Sequence, residues 1–428
     1  MVASPTDIAL ISRLIDGADK AAAAGQHREA LRLLGEAQAA APGHPRVLSA
    51  LGLYALKAGD LTASRRYLND AVAADAQSAL LWFHLALICR AQGDTAAELT
   101  ALDRSLALDP QFYLALLQKA TLLERQGKPR QAAQVFIYFL HWVPPPAQQP
   151  PELKQAIQYA QKAVDADKAA LGAFIRERLE SIPAAHAEPP QERFEHCLDV
   201  LLGRRRVYTP QPTFMHFPRL PALEFYDQKD FPWLDAFEAA TDAIRDELLH
   251  VVSEDLSEGD IVPYVAFPDG VPLDQWRDLN RSLQWGAYYL IKDGVPLHGH
   301  LARCPTTAAL LATAPLADVP GNAPTAFFSL LKPKTRIPPH TGVTNTRLVV
   351  HVPLIVPPGC GFRVGSETRE WQPGRAWVFD DTIEHEAWND SDEPRAILII
   401  DIWNPFLTAA ERALVSATTA AVADFQRE

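Results

Sequence analysis

Residues 57–94 read KAGDLTASRRYLNDAVAADAQSALLWFHLALICRAQGD, a stretch that opens and closes on nearly the same motif, KAGD and AQGD. Its two glycines, Gly59 and Gly93, are 34 residues apart, and Gly25 and Gly127 extend this spacing in both directions. A period shared by independent columns of residues indicates a repeated structural unit. Three further columns keep the period: Leu34, Leu68, Leu102 and Phe136; Leu14, Leu48, Trp82 and Leu116; and Pro42, Pro110 and Pro144, with Ala76 in the remaining slot.

A 34-residue period is typical of tetratricopeptide repeats, in which each repeat is a helix-turn-helix hairpin. The glycines lie where the first helix turns into the second, and the small residues Ala37, Ala71 and Ser105 would let paired helices approach closely. Because one hairpin cannot bury its apolar face alone, we predict that residues 1–143 stack into an α-solenoid. A generic alanine-rich helical bundle is the alternative. Such arrays bind peptides or self-associate, so a peptide or protein partner is expected, and the sequence leaves the oligomeric state open.

Proline clusters mark the end of the repeats, at residues 143–151 (VPPPAQQPP) and 187–190 (AEPP). Between them, residues 152–180 have the pattern of a helix, and we predict a proline-bounded helical linker over residues 144–204. The following segment, TPQPTFMHFPRLPALEFYDQKDFPW, is rich in proline and aromatic residues and has no helical period. We predict that a second, β-rich domain occupies residues 205–428.

The composition excludes several classes of protein. A net charge of −12 argues against sequence-independent binding of nucleic acid. The four cysteines are far apart and form no CxxC pair, which favours a reducing compartment over a disulfide framework. The N-terminal residues lack the apolar core of a signal peptide. The sequence contains no run of about 18 apolar residues, so no membrane span is expected. A cytoplasmic location is therefore expected.

Short β-branched or aromatic runs separated by turn residues fill the second half from about residue 283. They predict a sandwich or barrel, for which a jelly roll (double-stranded β-helix) with flanking helices is the natural form. The candidate strands are QWGAYYLI, AFFSLLK, RLVVHVPLIV, CGFRVG, RAWVFDD and RAILIIDIW.

Histidines in this half suggest a metal site. His340 opens HTGVTNTR, and His385 follows 45 residues later in FDDTIEHEAWN, with the basic residue Arg395 on the last strand. Iron(II) oxygenases need few protein ligands, because the metal must keep positions open for a co-substrate and O₂. The usual protein contribution is two histidines and one carboxylate, the first pair as HxD or HxE. Here Gly342 stands in the carboxylate position and cannot bind a metal.

The stretch FFSLLKPKTRIPPHTGVTNTRLVVHVPL, followed by W-x-x-G and by FDDTIEHEAWNDSDEPRAILIIDIWNP, resembles the aspartyl/asparaginyl β-hydroxylases. Upstream matches in LPALEFYDQKDFPWLDAFEAATDAIRDEL and CPTTAALL extend the resemblance over roughly residues 215–405. In that family a two-histidine iron site without the carboxylate is normal, and solvent takes the vacant place. A preceding tetratricopeptide region is also common there.

The resemblance implies roles for individual residues. His340 and His385 match the iron ligands, and Trp285, Ser329, His351 and Arg395 match positions that hold 2-oxoglutarate. Arg395 would pair with the distal carboxylate of that co-substrate and so belongs to the catalytic set.

One position departs from the family pattern N-x-R-L-R-x-H, because Val349 replaces its second arginine. Strand alternation places Arg347, Val349 and His351 on one face, so Arg347 is expected to replace part of the missing charge and bind the co-substrate. Without that replacement, we expect weaker 2-oxoglutarate binding or a preference for another 2-oxo acid.

The resemblance implies a dioxygenase that uses Fe(II), 2-oxoglutarate and O₂ to hydroxylate the β-carbon of an aspartyl or asparaginyl residue, or a related substrate. The repeats would recruit a peptide or protein. Two rival functions remain: a scaffold with a non-catalytic jelly roll, favoured by Val349, and a cupin-like metalloenzyme of another reaction type.

Other polar residues near these motifs have more ordinary interpretations. His298 and His300 have metal-ligand spacing, but we expect them in a solvated loop. Asp380, Asp381 and Glu384 flank His385. They could offer a carboxylate to the metal or orient a ligating imidazole through its second nitrogen, but we expect surface positions or contacts outside the ligand set.

Overall fold

The computed structural model describes residues 5–180, 191–253 and 260–427. Contacts divide the chain into two units, residues 1–202 and residues 203–428, and each is described by itself. In the first unit, eight consecutive helices form four hairpins with the predicted period. They are α1 (Pro5–Ala23), α2 (His27–Ala40), α3 (Pro45–Lys57), α4 (Leu61–Ala74), α5 (Ala79–Ala91), α6 (Thr95–Leu108), α7 (Tyr113–Arg125) and α8 (Pro129–Trp142).

The glycine column makes the turn inside each hairpin. Gly25, Gly59, Gly93 and Gly127 have φ values of +73°, +83°, +75° and +72°, a left-handed conformation that favours glycine. The hydrophobic and small columns are buried between the helices, as predicted: Leu68, Leu102, Phe136, Ala37, Ala71 and Ser105 are all fully buried. The α-solenoid prediction is confirmed.

The segment between the proline clusters contains α9 (Pro151–Leu179), as the sequence predicted. Leu153, Ala160 and Val164 of α9 are buried against Phe136 and Phe139 of α8, so α9 covers the apolar face of the last hairpin. The helix in this segment therefore extends the helical stack. Helix α10 (Gln191–Leu201) completes this unit. The second proline cluster, residues 187–190, lies outside the described residues.

The second unit is built on two antiparallel sheets. The larger has the order β1-β2-β4-β11-β6-β9, with β3 paired to β2, and the smaller has the order β5-β10-β7-β8. The bounds are β1 (Val262–Pro263), β2 (Trp285–Lys292), β3 (Val295–Pro296), β4 (Ala326–Leu331), β5 (Thr335–His340), β6 (Arg347–Ile355), β7 (Cys360–Val364), β8 (Glu367–Arg369), β9 (Trp377–Phe379), β10 (His385–Asn389) and β11 (Arg395–Trp403).

Strand alternation gives the larger sheet two different faces. Leu348, Val350 and Val352 of β6 pack outward into a core with the flanking helices, whereas Val349 and Ile397 face the smaller sheet. All six candidate strands are present, and the antiparallel two-sheet arrangement is consistent with the predicted jelly roll. The flanking helices are α11 (Leu234–Ala239), α12 (Thr241–Ser253), α13 (His298–Arg303), α14 (Pro305–Leu311) and α15 (Ala409–Arg427).

None of the helices in the described parts of the chain combines the length and the apolar character needed to cross a membrane.

Candidate active site

A cavity of about 570 Å³ lies between the two sheets of the second unit. Its walls come from the inner faces of β2, β4, β6 and β11 on one side and of β5, β7 and β10 on the other. The structure brings every predicted site residue to this one cavity: Trp285, Ser329, His340, Arg347, His351, His385 and Arg395.

The two candidate metal ligands lie directly opposite each other on neighbouring strands. His340 ends β5, His385 begins β10, and the two are register partners with ring centroids 4.1 Å apart. An irregularity in the β5–β10 register follows directly after His385. Direct cross-strand pairing of His340 with His385 brings the two side chains together, since paired residues on neighbouring strands point to the same face of the sheet.

Each of these histidines is oriented by a backbone carbonyl two residues before it. Nδ1 of His340 lies 2.8 Å from the oxygen of Pro338, and Nδ1 of His385 lies 3.0 Å from the oxygen of Ile383. A carbonyl accepts only, so each Nδ1 carries the proton and each Nε2 keeps a lone pair. This second-nitrogen hydrogen bond is the usual support of a metal-bound histidine.

Burial keeps both imidazoles in the neutral form that binds metals. It lowers the pKa of His340, and it lowers the pKa of His385 well below the usual value, with a further contribution from the neighbouring His340. No group of three or more His, Cys, Asp or Glu residues suited to a metal occurs in the described parts of the chain. The donor set is therefore two imidazole nitrogens, which fits iron(II) with most of its positions left for co-substrate and solvent.

Position 342 has no room for a side chain. A Cβ built on Gly342 would lie 2.1 Å from Oδ2 of Asp381, so the carboxylate of Asp381 fills the space that residue 342 leaves. Asp381 is 7% exposed, and its Oδ1 has no hydrogen-bond partner within the described residues. Burial is the main cause that raises the pKa of Asp381 to about 7. The space beside Gly342 is thus filled by a carboxylate from the loop before β10.

The other two acids near His385 in the sequence, Asp380 and Glu384, have different surroundings. Asp380 is fully buried and its carboxylate accepts hydrogen bonds from the backbone and hydroxyl of Thr382, while Glu384 pairs with Arg363 at the edge of the smaller sheet. Asp380 and Asp381 are therefore buried, so of the two expected placements, at the surface or in contacts outside the ligand set, the second is the one that their burial fits.

Arg395 gives the cavity a cationic end, where it lies close to Ser329 and Trp371. Arg395 is 1% exposed, and its guanidinium lies 5.0 Å above the ring of Trp371 and 3.4 Å from Oγ of Ser329. No carboxylate in the described ranges lies within ion-pair distance of it, since Asp392 pairs with Lys334 instead. Its Nε also lacks a partner among these residues. Burial lowers the pKa of Arg395 to about 10, so this is a charge that the fold leaves uncompensated.

Ser329 and Trp285 are joined on the wall beside Arg395. The indole Nε1 of Trp285 donates to Oγ of Ser329 across 3.0 Å. An indole N–H is only a donor, so the hydroxyl accepts there and its own proton remains available to a ligand.

The expectation that Arg347 replaces the missing family arginine is not supported by its surroundings. Its guanidinium is 2.8 Å from Asp401 and 3.8 Å from Asp381, so its charge is already balanced by two carboxylates. Val349 lies on the same cavity wall and is 7% exposed. Among the described residues that line the cavity, Arg395 is therefore the cation without a carboxylate partner.

His298 and His300 lie in the short helix α13, so the prediction of a loop was wrong. Nδ1 of His300 is 2.7 Å from the oxygen of Tyr289, and its ring stacks on Tyr288 at 4.2 Å. Neither histidine lines the cavity.

Several aromatic residues of the site had no sequence signal. Tyr264 stacks on Trp285 at 4.0 Å, and Trp276 meets His340 edge-on at 4.9 Å. Trp371, by contrast, is the tryptophan of the W-x-x-G motif, but it lies outside the strands, between β8 and β9, so no alternation pattern placed it in the cavity.

Known proteins resemble both units. Residues 238–405 match the family described as aspartyl/asparaginyl beta-hydroxylase, and residues 15–79 and 49–111 match tetratricopeptide repeats. The aspartyl/asparaginyl beta-hydroxylase of Mus musculus is 35% identical over 145 residues, covering 33% of this chain and 19% of that protein.

Two further relatives are matched over a larger share of their own length. The ornithine lipid ester-linked acyl 2-hydroxylase of Rhizobium tropici is 32% identical over 199 residues, covering 46% of this chain and 66% of that protein. The aspartate beta-hydroxylase domain-containing protein 2 of Homo sapiens is 37% identical over 156 residues, covering 35% of this chain and 42% of that protein. The chain thus spans between 19% and 66% of the length of these relatives.

Proposed function

Because its second unit carries an aspartyl/asparaginyl β-hydroxylase domain and its first unit carries tetratricopeptide repeats, we propose that this protein is an Fe(II)- and 2-oxoglutarate-dependent dioxygenase. The observation that carries the proposal is the polarity of one cavity. Two neutral histidines whose Nε2 atoms keep a lone pair line this cavity, and an unbalanced guanidinium, that of Arg395, lines it as well.

At the metal end, His340 and His385 would hold the iron. Their Nδ1 hydrogen bonds fix both rings before any metal arrives, so little reorganisation opposes binding. Asp381 would remain beside the metal as a hydrogen-bonding partner for bound solvent, because it occupies the space next to Gly342.

At the cationic end, Arg395 and Ser329 would bind the distal carboxylate of 2-oxoglutarate. A guanidinium that is buried without a carboxylate gains most when an anion enters, because the charge is then compensated in a low-dielectric site. When bound, iron(II) with 2-oxoglutarate and O₂ supplies the oxidation that hydroxylates an unactivated C–H bond and releases succinate and CO₂. The chain's part is to bind, orient and exclude water.

The substrate we propose is an aspartyl or asparaginyl side chain, or a related group, on a peptide or protein held by the repeats. A groove of about 670 Å³ runs along α1, α3 and α5 of the first unit. It combines apolar residues such as Leu81 and Leu87 with Arg46, Lys57 and Asp75, a mixture that suits an extended polypeptide. The lipid hydroxylase among the relatives makes a lipid acyl chain the second candidate substrate.

We further propose a cytoplasmic location. All four cysteines are free thiols, and three of them are buried, which agrees with a reducing compartment.

The test of the function is succinate formation by the full chain in the presence of iron(II), 2-oxoglutarate and O₂, with and without candidate peptides. Succinate that depends on both iron and 2-oxoglutarate, and that rises with a peptide that gains one oxygen atom, supports the enzyme. Absence of iron-dependent succinate with every substrate would favour the scaffold.

The repeats are tested separately through Leu80, a residue of the groove that is 50% exposed. We predict that Leu80→Glu lowers turnover of a protein substrate severalfold and leaves substrate-independent succinate formation unchanged, because the groove binds the substrate and not the co-substrate. Leu31→Glu is the matched control, since Leu31 is 53% exposed and lies outside the groove. Equal loss of both activities in Leu80→Glu would contradict this division.

A further inference from the structure

Trp371 touches two residues of the cationic end of the cavity at once. It is 4% exposed, its ring lies under the guanidinium of Arg395, and its Nε1 lies 3.3 Å from Nδ1 of His351. We propose that Trp371 is a positioning residue that fixes His351 in the tautomer with the proton on Nε2, making His351 a neutral hydrogen-bond donor to the anion bound by Arg395. This inference rests on the proposed function for the identity of that anion.

The tautomer follows from what an indole can do. The Nε1–H of tryptophan donates and never accepts, so a hydrogen bond to Nδ1 requires that Nδ1 carry a lone pair. A neutral imidazole has one protonated nitrogen, so the proton must be on Nε2. Burial and the charge of Arg395 both lower the pKa of His351 well below its usual value, which keeps the ring neutral.

Nε2 is the atom left for a ligand. His351 lines the cavity with Arg395 and Ser329, and no group of the described residues hydrogen-bonds to its Nε2. The opposite tautomer would present a lone pair to an incoming carboxylate and repel it. Trp371 therefore turns a residue that is able to donate or accept into one that only donates toward the cavity.

The rings around Trp371 hold this arrangement in place. Trp371 stacks on Phe362 at 5.4 Å and on Trp377 at 6.0 Å, with interplanar angles of 26° and 24°. The guanidinium of Arg395 lies over the ring of Trp371, so one side chain contacts both the cation and the neutral donor of the anion site. Ser329, oriented by Trp285, adds the third donor.

Trp377 offers a matched control in the same stack. Its Nε1 has no hydrogen-bond partner within the described residues, so Trp377→Phe changes the stack without removing a hydrogen bond. Trp371→Phe makes the same change of shape, keeps a ring under Arg395 and removes the donor to His351.

The first experiment reads the tautomer directly. The full chain is labelled with ¹⁵N-histidine, and imidazole ¹⁵N–¹H correlation spectra are recorded, with His351 assigned by its absence from a His351→Asn protein. We expect a protonated Nε2 and an unprotonated Nδ1 in the parent. A proton on Nδ1 in the parent would overturn the inference, whether or not the Trp371 variant folds.

The second experiment measures 2-oxoglutarate affinity by calorimetry under nitrogen with iron(II) present. Trp371→Phe should weaken binding about 2- to 10-fold, the effect of one ordinary hydrogen bond, and Trp377→Phe should bind like the parent. Equal weakening in the two variants would mean that packing alone matters, and the inference would be wrong. A parent that binds no 2-oxoglutarate but carries the proton on Nε2 would contradict the proposed function and not the positioning of His351.

Discussion

Arg395→Met is predicted to stabilise the ligand-free protein while removing its response to 2-oxoglutarate. Arg395 is 1% exposed and has no carboxylate within ion-pair distance in the described ranges. Its buried charge therefore destabilises the ligand-free fold until an anion binds. Methionine fills much of the same volume without a charge. Stability and co-substrate binding should therefore change in opposite directions.

The magnitude follows from the depressed pKa of Arg395, which burial lowers to about 10. Because the folded pKa lies below the unfolded one, the destabilisation is fully present at pH 7, where both states are protonated. At 1.36 kcal/mol for each pKa unit it amounts to about 3 kcal/mol. Loss of the contact with Trp371 removes about 1–2 kcal/mol of cation–π stabilisation. The variant should gain about 1–2 kcal/mol in the free energy of unfolding.

The assay is urea unfolding of the full chain at pH 7, with and without 2-oxoglutarate in the presence of a divalent metal. At a ligand concentration of 100 times Kd, the parent should gain about 2.7 kcal/mol and the variant almost nothing. Arg363→Met is the matched control, because Arg363 is paired with Glu384 at 3.0 Å and should lose about 1 kcal/mol. A marked loss of stability in Arg395→Met, or a ligand response equal to that of the parent, would show that Arg395 is neither an uncompensated charge nor the anion's partner.

Two other substitutions test separate parts of the account. Val349→Arg should tighten 2-oxoglutarate binding about tenfold by calorimetry, since it adds a charge-assisted hydrogen bond to a cavity with one unbalanced cation; unchanged affinity would contradict this. In the first unit, burial lowers the pKa of His84 to about 4, and its Nδ1 is 2.8 Å from Oγ of Ser49. Because the folded-state pKa of His84 lies below its unfolded value, the stabilisation from its neutral ring is fully present above about pH 6.5. It is lost as the pH falls to 4, and the free energy of unfolding then decreases by up to about 3 kcal/mol. His84→Gln should flatten that dependence in urea unfolding followed by circular dichroism; an unaltered slope would show that other groups cause it.

The repeats were predictable because their signal is local. A glycine with positive φ every 34 residues and a buried leucine column are consequences of one hairpin geometry, and both are readable along the chain. The strands of the larger sheet were equally readable, since burial on both faces makes them continuous apolar runs. The strands that carry His340 and His385, β5 and β10, were not among the candidates, because proline and polar residues break their pattern.

The site was only partly predictable, because its chemistry depends on register between distant strands. The sequence placed Arg347 and His351 on one face, but it did not show that Asp401 and Asp381 meet Arg347 and balance its charge. It also gave no sign that Trp371, outside any strand, reaches His351. Such contacts are set by which strand ends meet, and spacing along the chain does not encode that.

The most direct test of the central claim is iron(II) binding by the full chain, measured by anaerobic calorimetry in the parent and in single alanine variants. The account predicts one iron per chain in the parent, binding abolished in His340→Ala and His385→Ala, and parent-like binding in His298→Ala, because only the first two residues offer oriented Nε2 atoms at the cavity. Retained iron affinity in His385→Ala would contradict the two-histidine site and the proposed function built on it.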